Sequence, residues 1–150
     1  MSKIPLSTRF SFLILLVSIA IMVSGCGGRP SRVKVSGKVT IEGKPLSVGG
    51  ISFKPVEGGR KAGSSFDSEG KYTTTMYEPN DGLPLGSYTV AINSSRQVND
   101  FTKRWHAPKK YSDHETSGLT AEITKETSSL NFDLTWEGDE HSKPWNQKLK

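Results

Sequence analysis

Hydrophobic and polar side chains alternate along this chain in short bursts separated by Gly, Pro and Asp. Val33, Val35, Gly37, Val39 and Ile41 alternate with Lys34, Ser36, Lys38 and Thr40, the two-residue period of a strand with one buried face. Glu42-Gly43-Lys44-Pro45-Leu46 interrupts the pattern and is expected to turn. A second strand is predicted at Gly50-Ile51-Ser52-Phe53, closed by Pro55, with a brief one near residues 62–66. Asp67-Ser68-Glu69-Gly70 reads as a tight turn, because Gly70 tolerates positive φ and Asp67 can accept bonds from the backbone ahead of it. Residues 71–77 form a third strand with Tyr72, Thr74 and Met76 on one face, and residues 86–92 a fourth with Tyr88, Val90 and Ile92 facing the core.

Residues 93–118 lack periodicity. A loop that long in a compact domain is uncommon and marks a functional or mobile segment. Leu119, Ala121 and Ile123, then Leu130, Phe132, Leu134 and Trp136, alternate on either side of a turn at 125–128 and predict a C-terminal hairpin. Residues 137–150 are charged, with few apolar side chains, and predict a frayed polar tail. Strands of this number and spacing imply an all-β fold, a small sandwich with Greek-key connections over residues 33–136.

The one long apolar run lies before all of this. Residues 10–23 are interrupted only by Ser11 and Ser18, and are preceded by Lys3 and Arg9. A basic start, a short apolar run and small residues behind it describe a secretory signal helix over residues 1–25. The run falls short of the roughly 20 residues that span a bilayer. Val23-Ser24-Gly25-Cys26 resembles the lipobox of bacterial lipoproteins, an aliphatic residue and two small ones before Cys. That resemblance implies cleavage between Gly25 and Cys26, a diacylglycerol thioether on Cys26 and acylation of the new amine. It also explains the cysteine usage: the sequence holds one Cys, and a lone thiol on an exported chain is odd unless it is consumed. Residues 26–32 then form a lipidated Cys and a flexible tether. By analogy with the sorting signal of enteric bacteria, Gly27 in place of Asp implies the outer membrane, facing the periplasm or the surface.

Charge changes the picture little. The net charge of +5 includes Lys3 and Arg9, so removal of the signal leaves +3. The remaining basic residues are scattered as on a solvated face. A nucleic-acid footprint would cluster them, and no nucleic-acid partner is expected.

Val35-Ser36-Gly37-Lys38-Val39-Thr40 followed by Gly43-Lys44-Pro45-Leu46 resembles the opening of carboxypeptidase regulatory-like domains, which are transthyretin-like β-sandwiches. Asp67-Ser68-Glu69-Gly70-Lys71-Tyr72 and Pro84-Leu85-Gly86-Ser87-Tyr88-Thr89-Val90 match two further segments of that family in the same order. Lys110-Tyr111-Ser112-Asp113 through Leu119-Thr120, with Phe132-Asp133-Leu134, is similar to a group of short bacterial lipoproteins carrying such a domain. The resemblance implies architecture and location rather than an activity.

Candidate chemistry is sparse. His106, Asp113 and His114 are the one candidate set of metal ligands, but an eight-residue spacing of the histidines in a loop matches no familiar ligand pattern. Hydrolase elbows are missing, and Gly63-Ser64-Ser65 is not one. The expectation is therefore no catalytic residue, no metal and no cofactor. Aromatic side chains near loops (Trp105, Tyr111, Trp136 and Trp145) leave one alternative, a glycan or wall-polymer site on the 93–118 loop with Trp105 and Tyr111 as its contacts. The principal expectation is a lipid-anchored, non-catalytic structural or interaction module of the cell envelope, held to the membrane through Cys26, with an envelope protein or a glycan as partner.

Overall fold

The computed structural model describes residues 29–99 and 102–137. The predicted signal over 1–25, the cleavage site at Gly25 and Cys26, and residues 138–150 with His141 and Trp145 lie outside them. The chain divides into two units, Met1–Pro30 and Ser31–Lys150, and the architecture that follows belongs to the second.

Among the described residues the fold is all-β and sandwich-like, as the alternation predicts. β1 (Ser36–Ile41), β2 (Lys44–Pro45), β5 (Lys71–Thr73) and β10 (Phe132–Leu134) make one sheet. β3 (Gly50–Pro55), β4 (Ala62–Ser65), β6 (Gly86–Asn93) and β9 (Leu119–Ile123) make the second, in the order β4-β3-β6-β9. β7 (Ser95–Asn99) and β8 (Thr102–Trp105) pair with each other, and a 3-10 helix covers Lys109–Ser112.

The inward positions are those the two-residue period selects. Val35 and Val39 from β1 and its approach, Ile51 and Phe53 from β3, and Tyr88, Val90 and Ile92 from β6 are all nearly or fully excluded from water. Phe53 links the two sheets. Its ring lies 6.0 Å from Tyr72 on β5 and 6.2 Å, edge-on, from Tyr88 on β6. Each tyrosine hydroxyl then reaches the rim of the core, Tyr72 donating to the Leu130 carbonyl at 2.6 Å and Tyr88 to that of Pro84 at 2.8 Å. Burial pushes both phenols above their ordinary pKa, so both remain donors at neutral pH.

Turn chemistry sets the register. Ile41 pairs with Lys44 across a two-residue turn in which Glu42 and Gly43 both have positive φ, the mirror-image geometry that suits twisted strands. Asp133 secures that turn, accepting from the Thr40 hydroxyl at 2.5 Å and the Gly43 amide at 3.1 Å. Asp67 accepts from the amides of Glu69 and Lys71 at 2.8 and 2.9 Å, as its turn predicts.

Two expectations are corrected. β9 and β10 do not form a hairpin. β9 pairs antiparallel with β6, whereas β10 runs parallel to β1 in the other sheet, with Val39 opposite Phe132 and Ile41 opposite Leu134. Alternation reports which face is buried, not which strand lies alongside, so the residues at 125–128 cross between sheets. Residues 93–118 are not structureless either, since they hold the β7–β8 pair and the 3-10 helix.

Gly37 and Gly43 separate two uses of glycine. A Cβ on Gly37 would lie 1.9 Å from the Leu130 carbonyl oxygen, whereas one on Gly43 meets nothing within 4 Å. Gly37→Ala must move backbone and should cost about 3 kcal/mol. Gly43→Ala meets only the left-handed penalty of about 1 kcal/mol. Urea midpoints of the two variants check the order.

Candidate functional site

Ser52 stands between buried Ile51 and Phe53, and Thr89 between buried Tyr88 and Val90, so both face away from the core. The same alternation turns Ala91 outward, yet Ala91 is only 5% exposed. The 93–118 segment covers it, with the 3-10 helix packed against β6. Side-chain bonds hold the segment down. Ser94 donates to the Val48 carbonyl at 2.5 Å, and Ser117 donates to that of Val90 at 2.5 Å.

His114 is the third attachment. Its Nδ1 lies 3.1 Å from the Thr89 carbonyl oxygen and its Nε2 2.7 Å from Ser52 Oγ. A carbonyl can only accept, so Nδ1 carries the proton, and in the neutral ring Nε2 accepts from the Ser52 hydroxyl. Burial favours that neutral ring. The Thr89 carbonyl and Asp113 oppose the shift, Lys61 and Lys54 reinforce it, and the net effect holds the His114 pKa below its ordinary 6.5.

Beside this pair lies an open groove of about 610 Å³, between the outer face of the second sheet and the 93–118 segment. Its floor comes from Gly49 to Ser52 and Ala91, and its polar walls from Lys61, Asn93, Ser95, Ser112, Asp113 and His114. Hydroxyls, an amide, a carboxylate and an ammonium converge there, with no large apolar side chain apart from Ile51.

The two aromatic residues expected at a ligand site part company. Tyr111, in the 3-10 helix, is 8% exposed within the core cluster, its hydroxyl 3.4 Å from the Thr135 carbonyl oxygen. It packs in the core and offers little ring face to a ligand. Trp105 is half-buried and pairs with Ser95 across β7 and β8. Directly opposed residues project from the same face of a ladder, and Ser95 lines the groove, so Trp105 stands on the groove side of that pair. Lys103 Nζ lies 4.8 Å from its ring centre. Trp136 is buried, as its place in the alternation predicts.

Among the described residues, no three His, Cys, Asp or Glu side chains are grouped as a metal site requires. His106 points its Nε2 into a buried position with no hydrogen-bond partner there. Burial, with Arg96 and Arg104 nearby, lowers its pKa.

No family model, curated protein or solved structure matches this chain. What the groove can do rests on its own groups. A neutral imidazole bonded to a serine hydroxyl is the pairing used for nucleophile activation, and it is equally a clamp between a loop and a sheet. Ser52 sits in β3, which has ladder partners on both sides. Its backbone amides are therefore engaged and cannot stabilise an oxyanion. The arrangement suits hydrogen bonding to a polar ligand better than acyl transfer. Ser52 was not singled out from sequence, because a serine alternating with apolar residues carries no mark of a histidine 62 positions away.

The clamp has a pH signature. His114 and His106 are both held below 6.5, so on acidification the unfolded chain takes up protons first. The stability they contribute is complete above about pH 6.5 and is lost as pH falls through their lower folded values. Asp67, Asp81 and Asp133, held below their ordinary 3.8, act in a more acid window. The urea midpoint should therefore fall between pH 7.5 and 5, and His114→Gln should flatten that dependence. Ser52→Ala at pH 7.5 should cost about 1 kcal/mol and raise amide exchange across 107–117.

Proposed function

We propose that this chain is a lipid-anchored protein of the bacterial cell envelope whose β-sandwich serves as a non-catalytic interaction module. The observation that carries the reading is the single cysteine of the sequence, standing directly behind an apolar run and two small residues. Four residues, Gly27 to Pro30, separate it from the all-β unit that begins at Ser31. Two or three acyl chains give a stable hold, since each buried CH₂ contributes about 0.8 kcal/mol.

The proposed membership of the carboxypeptidase regulatory-like domains draws support from where the quoted motifs lie. The Asp67 motif is a closed turn leading into core Tyr72, and the Pro84 motif ends in core Tyr88, whose hydroxyl returns to Pro84. Outer-membrane placement remains part of the proposal, through Gly27.

A second reading, glycan or wall-polymer recognition, is favoured by one observation: Trp105 pairs with Ser95, which lines a groove walled by hydroxyls, an amide and a carboxylate. Sugars present the complementary donors and acceptors together with an apolar ring face for stacking. This reading keeps the 93–118 segment and Trp105, and sets Tyr111 aside.

Mass spectrometry of the protein taken from its own membranes tests the anchor. The expected species begins at Cys26 and carries diacylglycerol and an amide-linked acyl chain, and Cys26→Ala should stay unprocessed. An intact Met1 terminus would end the reading. A fluorophosphonate probe should leave Ser52 unlabelled, and stoichiometric labelling would make the protein an enzyme. On a glycan array, Trp105→Ala should weaken any binding about tenfold, the equivalent of a lost aromatic contact of about 1.4 kcal/mol.

A further inference from the structure

β1 and β3 run in opposite senses through the fold, and the sandwich has two distinct ends. The end at which the unit begins gathers three segments. Val33 exchanges backbone bonds with Leu83 at 2.8 and 3.0 Å. Arg32 Nε lies 3.0 Å from the Asp81 carboxylate. Arg60, from the loop after β3, donates to the Met76 carbonyl at 2.9 Å, and the guanidinium carbons of Arg32 and Arg60 lie 5.0 and 4.9 Å from the Tyr77 ring centre. The Val56 amide bonds to the Ser87 carbonyl at 3.0 Å, which places the 55–61 loop beside the start of β6. The opposite end holds the Asn93 terminus of β6, Ser94, and the base of the β7–β8 pair, where the His106 amide meets the Ser94 carbonyl at 2.8 Å.

Exposed apolar side chains are not spread evenly between the ends. Among the described residues the large exposed hydrophobics are Val56 at 63%, Leu85 at 57% and Val98 at 46%. Val56 and Leu85 flank Ser87 at the end where the unit begins, while Val98 lies on β7.

We infer that this end, with Val56 and Leu85 foremost, rests in the headgroup boundary of the bilayer that holds the lipid on Cys26. The inference builds on the lipid anchor proposed above. Covalent reach narrows the orientations. Five residue steps join Cys26 to Ser31 and span at most roughly 18 Å. β6 alone, with eight residues, is roughly 23 Å long. The domain therefore cannot invert to place its far end on the membrane while Ser31 stays within the tether's length. It can lie end-on or on its side, and the two exposed apolar residues select end-on. Exposed Arg60 suits the same boundary, since it carries an apolar stem and a polar tip.

Charge does not drive the contact. Residues 31–33, 55–61 and 77–85 carry Arg32, Arg60 and Lys61 against Glu57, Glu78 and Asp81, which cancel, and Arg29 before Ser31 leaves one net positive charge. Contact should therefore differ little between zwitterionic and anionic bilayers and depend only weakly on salt. The part of the groove at Asn93 and Ser95 is then held away from the lipid, while Lys61 borders it on the side of the resting end.

The test uses the full acylated protein. With the Cys26 sulfur blocked by lipid, Val56→Cys, Leu85→Cys and Val98→Cys each introduce one reactive thiol at an exposed position. Each variant is labelled with an environment-sensitive fluorophore and reconstituted in phosphatidylcholine vesicles, with or without phosphatidylglycerol. Labels at 56 and 85 should shift to the blue, resist iodide and be quenched by nitroxide lipids in both vesicle types, while the label at 98 behaves as in water. Native-like circular dichroism identifies variants that fold. Water-like labels at 56 and 85 on protein whose Cys26 is acylated by mass spectrometry would overturn the orientation and leave the anchor standing. An unmodified Cys26 removes both.

Discussion

The ring of Phe53 is shut off from water, and the two tyrosines that enclose it come from different sheets. With a single cysteine in the sequence, no disulfide within the chain can share the work of holding those sheets together. The apolar layer around Phe53 has to do it, in a unit whose size permits one modest core. This explains why both tyrosine hydroxyls are bonded at the rim. A phenol left without a partner there would carry a desolvation cost of about 1–3 kcal/mol, large against the few kcal/mol by which a domain of this size is stable.

That constraint fixes what the outer face can be. Because β3 and β6 commit Ile51, Phe53, Tyr88, Val90 and Ile92 inward, their outward residues are short or polar: Ser52, Thr89, Ala91 and Asn93. Over that face the 93–118 segment is attached through polar contacts from Ser94, His114 and Ser117 to sheet atoms, while its Ala107 and Tyr111 join the apolar core. Between those attachments lies the groove.

Much of this was legible in the residues. The strands β1, β3 and β6 and the turns at 42–46 and 67–70 follow from a period of two broken by Gly, Pro and Asp, whereas the strand expected over 71–77 stops at Thr73, before the Asp81 carboxylate draws the amides of Met76, Tyr77 and Glu78 into a turn. Pairing was not legible. Phe132 and Leu134 alternate as well beside β1 as they would beside β9, and only the three-dimensional fold chooses. The β7–β8 pair escaped notice because Arg96, Gln97, Lys103 and Arg104 are all exposed, so no buried face writes an apolar stripe into the sequence. Tyr111 misled for the converse reason, since a tyrosine among Lys110, Ser112 and Asp113 looks like surface until the core cluster claims it. Ser52 and His114 carry no local signal, because their relation exists only once the segment folds back onto the sheet.

The polarity of the molecule follows from the chain's direction through the core. β1 begins at the end where Val33 meets Leu83 and finishes at the Glu42 turn, and β6 begins near Val56 and finishes at Asn93. Of the loops that return to the first end, 77–85 is tied by Asp81, which accepts from the amides of Met76, Tyr77 and Glu78 at 2.7, 3.1 and 3.1 Å, and 55–61 by Arg60 on the Met76 carbonyl and the Val56 amide on that of Ser87. Burial pushes the Asp81 carboxyl up, but those three amides and Arg32 outweigh it and hold it ionised. The longest excursion, 93–118, leaves from the other end. One end is closed by the Val33–Leu83 bonds and the Asp81 turn and the other carries the 93–118 excursion, and the direction of β6 from Gly86 to Asn93 is enough to tell the two ends apart.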